Sequence, residues 1–196
     1  MAKIKSTHNA QQKSLRLHLG CGKRNIPGFV NVDLADFKHI HYKRPVNDLR
    51  PFNTNSVDLI YASHVFEYFD NNQATDVLKE WKRVLKKGGT LRLAVPDFEA
   101  LAKVHKKYKD INLIIGPLYG KWEVKGANKY VYHKTVYDFY SLKNLLEKNG
   151  FRNVKRYDWR KTSPHNAHDD HSQAYIPHMQ KKTGMLISLN VEAEKK

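Results

Sequence analysis

Residues 15–22 read LRLHLGCG and lead through KRNIPGFVNVD to an aspartate at position 33. Leu15, Leu17 and Leu19 alternate with polar residues, the period of a strand, and residues 29–32 form a second short apolar run. Two strands are therefore expected to end at Leu19 and Asp33. Gly20 and Gly22 stand at the first of these ends. Glycines there serve either a tight structural turn or a backbone that a ligand approaches without a Cβ in the way. An acid at the neighbouring strand end favours a ligand, because the Asp33 carboxylate can accept hydrogen bonds from two vicinal ribose hydroxyls.

Working outward, residues 57–62 (VDLIYA) and 90–95 (TLRLAV) are continuous apolar runs of the kind found in strands covered on both faces. Between them a helix is expected to start at DNNQ, where Asp70 and Gln73 make a capping box, and to end at Gly88 and Gly89. Val77, Leu78, Trp81, Val84 and Leu85 share its apolar face. A second helix carries Leu142, Leu145 and Leu146, stops at Asn149 and Gly150, and precedes the strand-like FRNVKRYDW. The last strand is expected over residues 185–193, MLISLNVEA. Alternating strands and helices predict an α/β fold with a mostly parallel sheet, helices on both faces and right-handed crossovers. Residues 1–14 read as a basic, flexible segment and 15–196 as one domain.

The chain has 196 residues, of which 40% are apolar, and no apolar stretch approaches the twenty needed to span a bilayer. A soluble protein is expected. The N-terminus lacks the apolar block of a secretion signal, and the single cysteine, Cys21, has no partner within the chain, which points to a reducing cytoplasm. A formal net charge of +16 makes phosphates, nucleic acids, anionic lipids and acidic glycans candidate partners without choosing among them. A nicotinamide dinucleotide is disfavoured: Asn25 stands where its fingerprint needs a third glycine, and Asp33 comes too early for the ribose acid.

Taken in order, LHLGCG with PGFVNVDL, DLRPFNTNSVDLIYASHVFEYF, WKRVLKKGGTLRLAVPD, LYG, HKTVYDFYSLKNLLEKNGF, and DDHSQAY with LISLNVEA resemble the class I S-adenosylmethionine-dependent methyltransferases. The similarity is greatest to small bacterial and viral members often predicted to act in surface-glycan biosynthesis. It runs from about residue 15 to residue 194. The resemblance implies a Rossmann-like class I methyltransferase fold with an antiparallel last strand, and S-adenosyl-L-methionine as cofactor. It implies that Gly20, Cys21 and Gly22 contact the methionine part and that Asp33 holds the ribose. Asp48 and Leu49 would flank the adenine, while Ser63 and His64 would line the cofactor floor. Two departures stand out: His18 occupies the place of an acid common before the glycines, and Tyr68 that of a histidine common in SHVLEH. The short connection between the first two strands suggests a stunted first helix.

Methyl transfer from a sulfonium gains much from in-line positioning, and only a weakly acidic acceptor needs a base. For a sugar hydroxyl, a placed histidine or carboxylate contributes roughly 10²- to 10⁴-fold. The segment from about Arg160 to Gly184 is long for a connection, and long ordered loops are usually functional. It carries His165, His168, Asp169, Asp170, His171 and His178, and residues 169–175 are expected to fold over the acceptor pocket. His133 is the preferred base, Asp170 and His171 are alternatives, and Asp97 is a further candidate at the same edge. HNAHDDH has ligand types suited to a divalent metal, but consecutive loop residues rarely converge on one ion, so no metal is assigned.

A small-molecule or glycan acceptor with oxygen methylation is the favoured reading. Cytosine chemistry would need a cysteine nucleophile, and Cys21 belongs to the glycine turn; the stretch VPDF does not supply the motif of adenine amino methylation. RNA methylation is the runner-up, on Lys103, Lys106, Lys107 and Lys109. A non-catalytic partner that binds the cofactor is a third reading.

Overall fold

The computed structural model describes residues 14–126, 128–165 and 167–196, so the expected N-terminal segment lies, except for Ser14, outside the described residues. Its centre is a seven-stranded sheet. In chain order the strands are β1 (Arg16–Leu19), β2 (Val30–Asp33), β3 (Tyr42–Lys43), β4 (Val57–Ser63), β5 (Leu85–Pro96), β6 (Lys121–Val124), β7 (Lys129–Tyr132), β8 (Phe151–Arg156), β9 (Tyr175–Ile176), β10 (Met185–Leu186) and β11 (Ser188–Lys195). The sheet order is β3-β2-β1-β4-β5-β11-β8, with β6-β7 and β9-β10 as separate pairs. β1 to β5 pair in parallel, and β11 runs antiparallel to both β5 and β8.

The helices are α1 (Asn71–Val84), α2 (Phe98–Tyr108), α3 (Asn112–Tyr119) and α4 (Phe139–Lys148). Asp70 and Gln73 form the expected capping box, which satisfies amides that the first helical turn leaves free. α1 ends earlier than expected. Leu85 is already extended and pairs with Val57, after which the register jumps so that Leu59 faces Thr90. Residues 86–89 are therefore looped out of the pairing, with Gly88 at φ +74.

Leu17, Leu19, Ile60, Ala62, Leu91 and Leu93 point to one face, where α1 and α4 bury Trp81, Leu78, Leu142 and Leu146 against them. Burying each such side chain contributes about 1.5–3 kcal/mol. Trp81 also ties the helix to a loop at the strand ends, donating from Nε1 to the Val46 carbonyl oxygen at 2.7 Å. On the other face no helix joins β1 to β2; residues 20–29 cross without one, and Ile26 and Phe29 cover Tyr61. The expected last strand is two elements, since β10 leaves the sheet to pair with β9 and only β11 enters it. α3 and the β6-β7 hairpin were not foreseen, although KWEV and KYVY alternate around Gly126.

Candidate active site

At the carboxyl ends of β1, β2 and β4 a cleft of about 1080 Å³ opens, roofed by α3 and the β6-β7 hairpin. A site for one drug-sized ligand takes roughly 300–1,000 Å³, so a small acceptor can share this space with a cofactor. Gly20, Cys21, Gly22, Asp33, His64, His133 and His171 line it. Five expected residues do not.

The glycines play different parts. Gly20 has φ +64, and a Cβ there would lie 2.8 Å from Val65 Cβ, so its close approach is to the chain itself. Gly22 has φ +51 with nothing within 4 Å of where its Cβ would stand. Its amide donates to Asp33 Oδ2 at 2.7 Å, its carbonyl oxygen accepts from His39 Nε2 at 2.9 Å, and the Ala35 amide donates to Asp33 Oδ1 at 2.7 Å. Asp33 thus holds the turn in place, and each carboxylate oxygen retains acceptor capacity toward the cleft. Burial, and after it the Asp33 charge, push the Cys21 thiol up to about 12, which removes it as a nucleophile near neutral pH.

Four expected residues serve elsewhere. The Asp48 carboxylate is held by Arg44 at 2.7 Å and Arg50 at 2.8 Å, and Leu49 is fully buried in the core; the cleft wall at that point is Pro45, Val46 and Asn47. Asp97 caps α2 by accepting from the Glu99 amide and pairs with Arg156 at 3.1 Å, a scaffold role in place of the expected catalytic one. Asp170 lies beneath the sheet, where it accepts from Tyr61 Oη at 2.6 Å and from the Ser172 amide at 2.8 Å, with His165 Nδ1 3.8 Å away. Arg92 stands 3.2 Å from His165 Nε2, completing a buried polar cluster that moors the long loop to β4 and β5. Of residues 169–175, only His171 and Ala174 reach the cleft. Ser63, at the end of β4, is buried and absent from the lining.

Among the described residues no group of three His, Cys, Asp or Glu side chains is arranged to hold a metal. The four α2-side lysines, 103, 106, 107 and 109, face solvent and none lines the cleft. The cleft has cations of its own: Lys23, Arg24, Lys121, Lys129 and Lys134 line it, against Asp33 as the one acid among the lining residues. Tyr68, Phe69, Trp122, Tyr130 and Tyr132 give it aromatic faces, and Lys121 Nζ sits 4.0 Å over the Tyr130 ring.

His133 Nδ1 lies 2.8 Å from the Pro117 carbonyl oxygen, which can only accept, so this nitrogen carries the proton and Nε2 holds a lone pair. Burial lowers its pKa, more than the Pro117 bond raises it. Tyr68 packs edge-on against its ring at 4.7 Å. Gly120 makes room, since a Cβ there would lie 2.8 Å from Nε2. Behind His64 and His133 sits Glu67, which was not foreseen: it is fully buried, and neither carboxyl oxygen has a hydrogen-bond partner. A carboxyl between aromatic residues in VFEYF was the available signal.

The fold and this site define a class of protein, a Rossmann-like α/β domain whose glycine turn and strand-end acid face a deep cleft. A family model described as a methyltransferase domain matches residues 24–93, spanning β2 to β5. Solved structures similar to the chain include an S-adenosylmethionine-dependent methyltransferase from Archaeoglobus fulgidus, 16% identical, covering 94% of this chain and 87% of that one with TM-score 0.56. Another is a possible histamine N-methyltransferase from Thermotoga maritima, 18% identical, covering 93% and 82% with TM-score 0.56. A third is the 1,6-didemethyltoxoflavin N1-methyltransferase of Burkholderia thailandensis, solved with S-adenosylhomocysteine, 12% identical, covering 95% and 72% with TM-score 0.54. No curated protein matches the chain. The chain has the fold of S-adenosylmethionine-dependent methyltransferases, and its segment 24–93 is similar to a methyltransferase domain.

Proposed function

We propose that the chain is an S-adenosylmethionine-dependent methyltransferase that methylates a hydroxyl group of a saccharide, with His133 as general base. The observation that carries this reading is the aromatic lining of the cleft, where Trp122, Tyr130 and Tyr132 line the same space as His133, with Tyr68 against its ring. Exposed aromatic rings with polar tips suit a ligand whose rings are apolar on their faces and hydroxylated at their edges. The site residues also fit the cofactor: the turn at Gly20 to Gly22 and the Asp33 carboxylate would hold its methionine and ribose parts, and the Pro45 to Asn47 wall its base. When bound, that cofactor supplies an electrophilic methyl group on a sulfonium. His133 Nε2, with its lone pair left by the Pro117 bond at Nδ1, would take the proton that the acceptor hydroxyl loses as its oxygen is methylated. The buried free thiol of Cys21 suits a reducing compartment, and we place the reaction in the cytoplasm.

Methyl-labelled cofactor incubated with a panel of nucleotide sugars, glycans and RNA tests this. Label is expected in carbohydrate. Label found in RNA alone assigns the cleft lysines to phosphates and overturns the saccharide reading.

A further inference from the structure

The side chains behind the cleft wall pose a chemical problem. Glu67 Oε1 is 3.5 Å from His64 Nδ1 and 3.7 Å from His133 Nε2, and all three groups are largely shielded from water. The tautomers of both histidines follow from their other contacts. His133 donates from Nδ1 to Pro117, so Nε2 faces Glu67 as a lone pair. His64 Nε2 lies 3.2 Å from Ser188 Oγ, whose single proton is directed to Asn190 Oδ1 at 3.0 Å; Ser188 therefore accepts, and His64 Nδ1 also faces Glu67 as a lone pair. The Asn190 amide is itself oriented by donating to the Ser172 carbonyl oxygen at 2.8 Å. An ionised Glu67 would confront two lone pairs with no donor near either oxygen. A proton on the carboxyl group removes the conflict, because a carboxylic acid can donate to one of the two nitrogens.

We propose that Glu67, His64 and His133 share a single buried proton, and that this proton, while it rests on Glu67, occupies His133 Nε2 and blocks it as a base. The base then works only when that proton has left. Glu67 touches no substrate and acts through His133, which makes it a positioning residue. The groups facing the carboxyl are His64 just after β4, His133 from the segment after β7, Tyr68 from its own turn, and Tyr137 from the segment before α4; its backbone oxygen is taken by the Lys134 and Thr135 amides. His171 contributes through its charge on both histidines. None of these brings a cation to Glu67 at neutral pH. Burial pushes its carboxyl up to about 8 and holds His64 down to about 3, in keeping with a proton resident on the acid.

The catalytic part of this inference rests on His133 as base, whereas the shared proton does not, and the experiment separates them. Histidine ring nitrogens are followed by NMR in the full chain labelled with ¹⁵N-histidine and saturated with S-adenosylhomocysteine, from about pH 6 to about pH 10. The expected result is His133 protonated on Nδ1 and His64 on Nε2, with the two facing nitrogens shifting together in one step that is lost in Glu67→Gln. The opposite tautomer at either histidine, separate titrations, or an unchanged step in Glu67→Gln overturns the proposal. So does a stoichiometric divalent metal that copurifies with the wild type. The tautomers of the wild type decide the matter even if the variant fails to fold. With whichever acceptor the labelled panel identifies, wild-type turnover should rise between about pH 7 and about pH 9 and that of Glu67→Gln should stay low and flat. A rise preserved in the variant removes Glu67 from the reaction.

Discussion

The Tyr61 hydroxyl donates to Asp170 at 2.6 Å, joining the middle strand β4 to a loop residue 109 positions later. Burial pushes the Asp170 carboxyl up, but the nearby His165 and the hydrogen bonds from Ser172 and Tyr61 outweigh it and hold the group below the usual carboxylate range. Its stabilising contribution is thus complete above the unfolded value near 3.8 and lost as pH falls below it. Tyr61→Phe removes one charge-assisted bond and is expected to cost about 1.5–3 kcal/mol in chemical denaturation, with faster proteolytic cleavage between residues 160 and 184. Cofactor affinity should change little. A large loss of affinity with unchanged stability would place Asp170 in the site.

Asp97 gives a sharper separation of scaffold from chemistry. Removing its cap on α2 and its pairing with Arg156 in Asp97→Ala should cost about 1–2 kcal/mol of stability in urea. Methyl transfer by the folded variant should stay within about twofold of wild type. A catalytic carboxylate would show a loss of roughly 10²-fold or more.

Gly20 and Gly22 share a left-handed backbone but not their surroundings. Gly22→Ala meets only the conformational penalty, about 1–2 kcal/mol, because no atom lies where its Cβ would go. Gly20→Ala adds a clash with Val65 and is expected to cost more, and Val65→Ala should restore part of that difference. Thermal unfolding of the four proteins checks the order.

Asp33 is expected to dominate cofactor affinity. Asp33→Ala should weaken S-adenosylhomocysteine binding at least about tenfold in calorimetry, since a hydrogen bond to a charged group contributes about 1.5–3 kcal/mol. Asp33→Asn keeps an acceptor for one backbone amide and should lose less stability than the alanine variant.

The pH dependence of folding has a sign set by Glu67. Its folded pKa near 8 lies above the unfolded 4.5, so its contribution is complete below 4.5 and lost progressively as pH rises from there through 8, on the order of 5 kcal/mol in all. Burial keeps His18 neutral down to about 4 and His64 to about 3, so the unfolded chain binds protons first and stability falls as pH drops below 6.5. Denaturation midpoints should therefore decline on both sides of neutrality in the wild type. Glu67→Gln should retain the acid decline and lose the alkaline one.

Local sequence determined a good part of this protein. The alternation at Leu15, Leu17 and Leu19, the capping box at Asp70 and Gln73, and the glycine turn before Asp33 each depend on residues close in the chain, and each stands in the structure where it was read. They are legible because strand period, helix capping and positive φ are settled within a few residues. The tertiary structure alone decided the rest. Asp97, Asp170 and His133 are all polar residues in loops near strand ends, and nothing in their local sequence says that the first caps a helix, the second is buried under the sheet, and the third faces the cleft. Glu67 looks like one more exposed acid until the end of β4, the segment after β7 and the segment before α4 close around it. A carboxyl group's protonation depends on the solvent it loses and the lone pairs it meets, and both are supplied by residues as distant as His133.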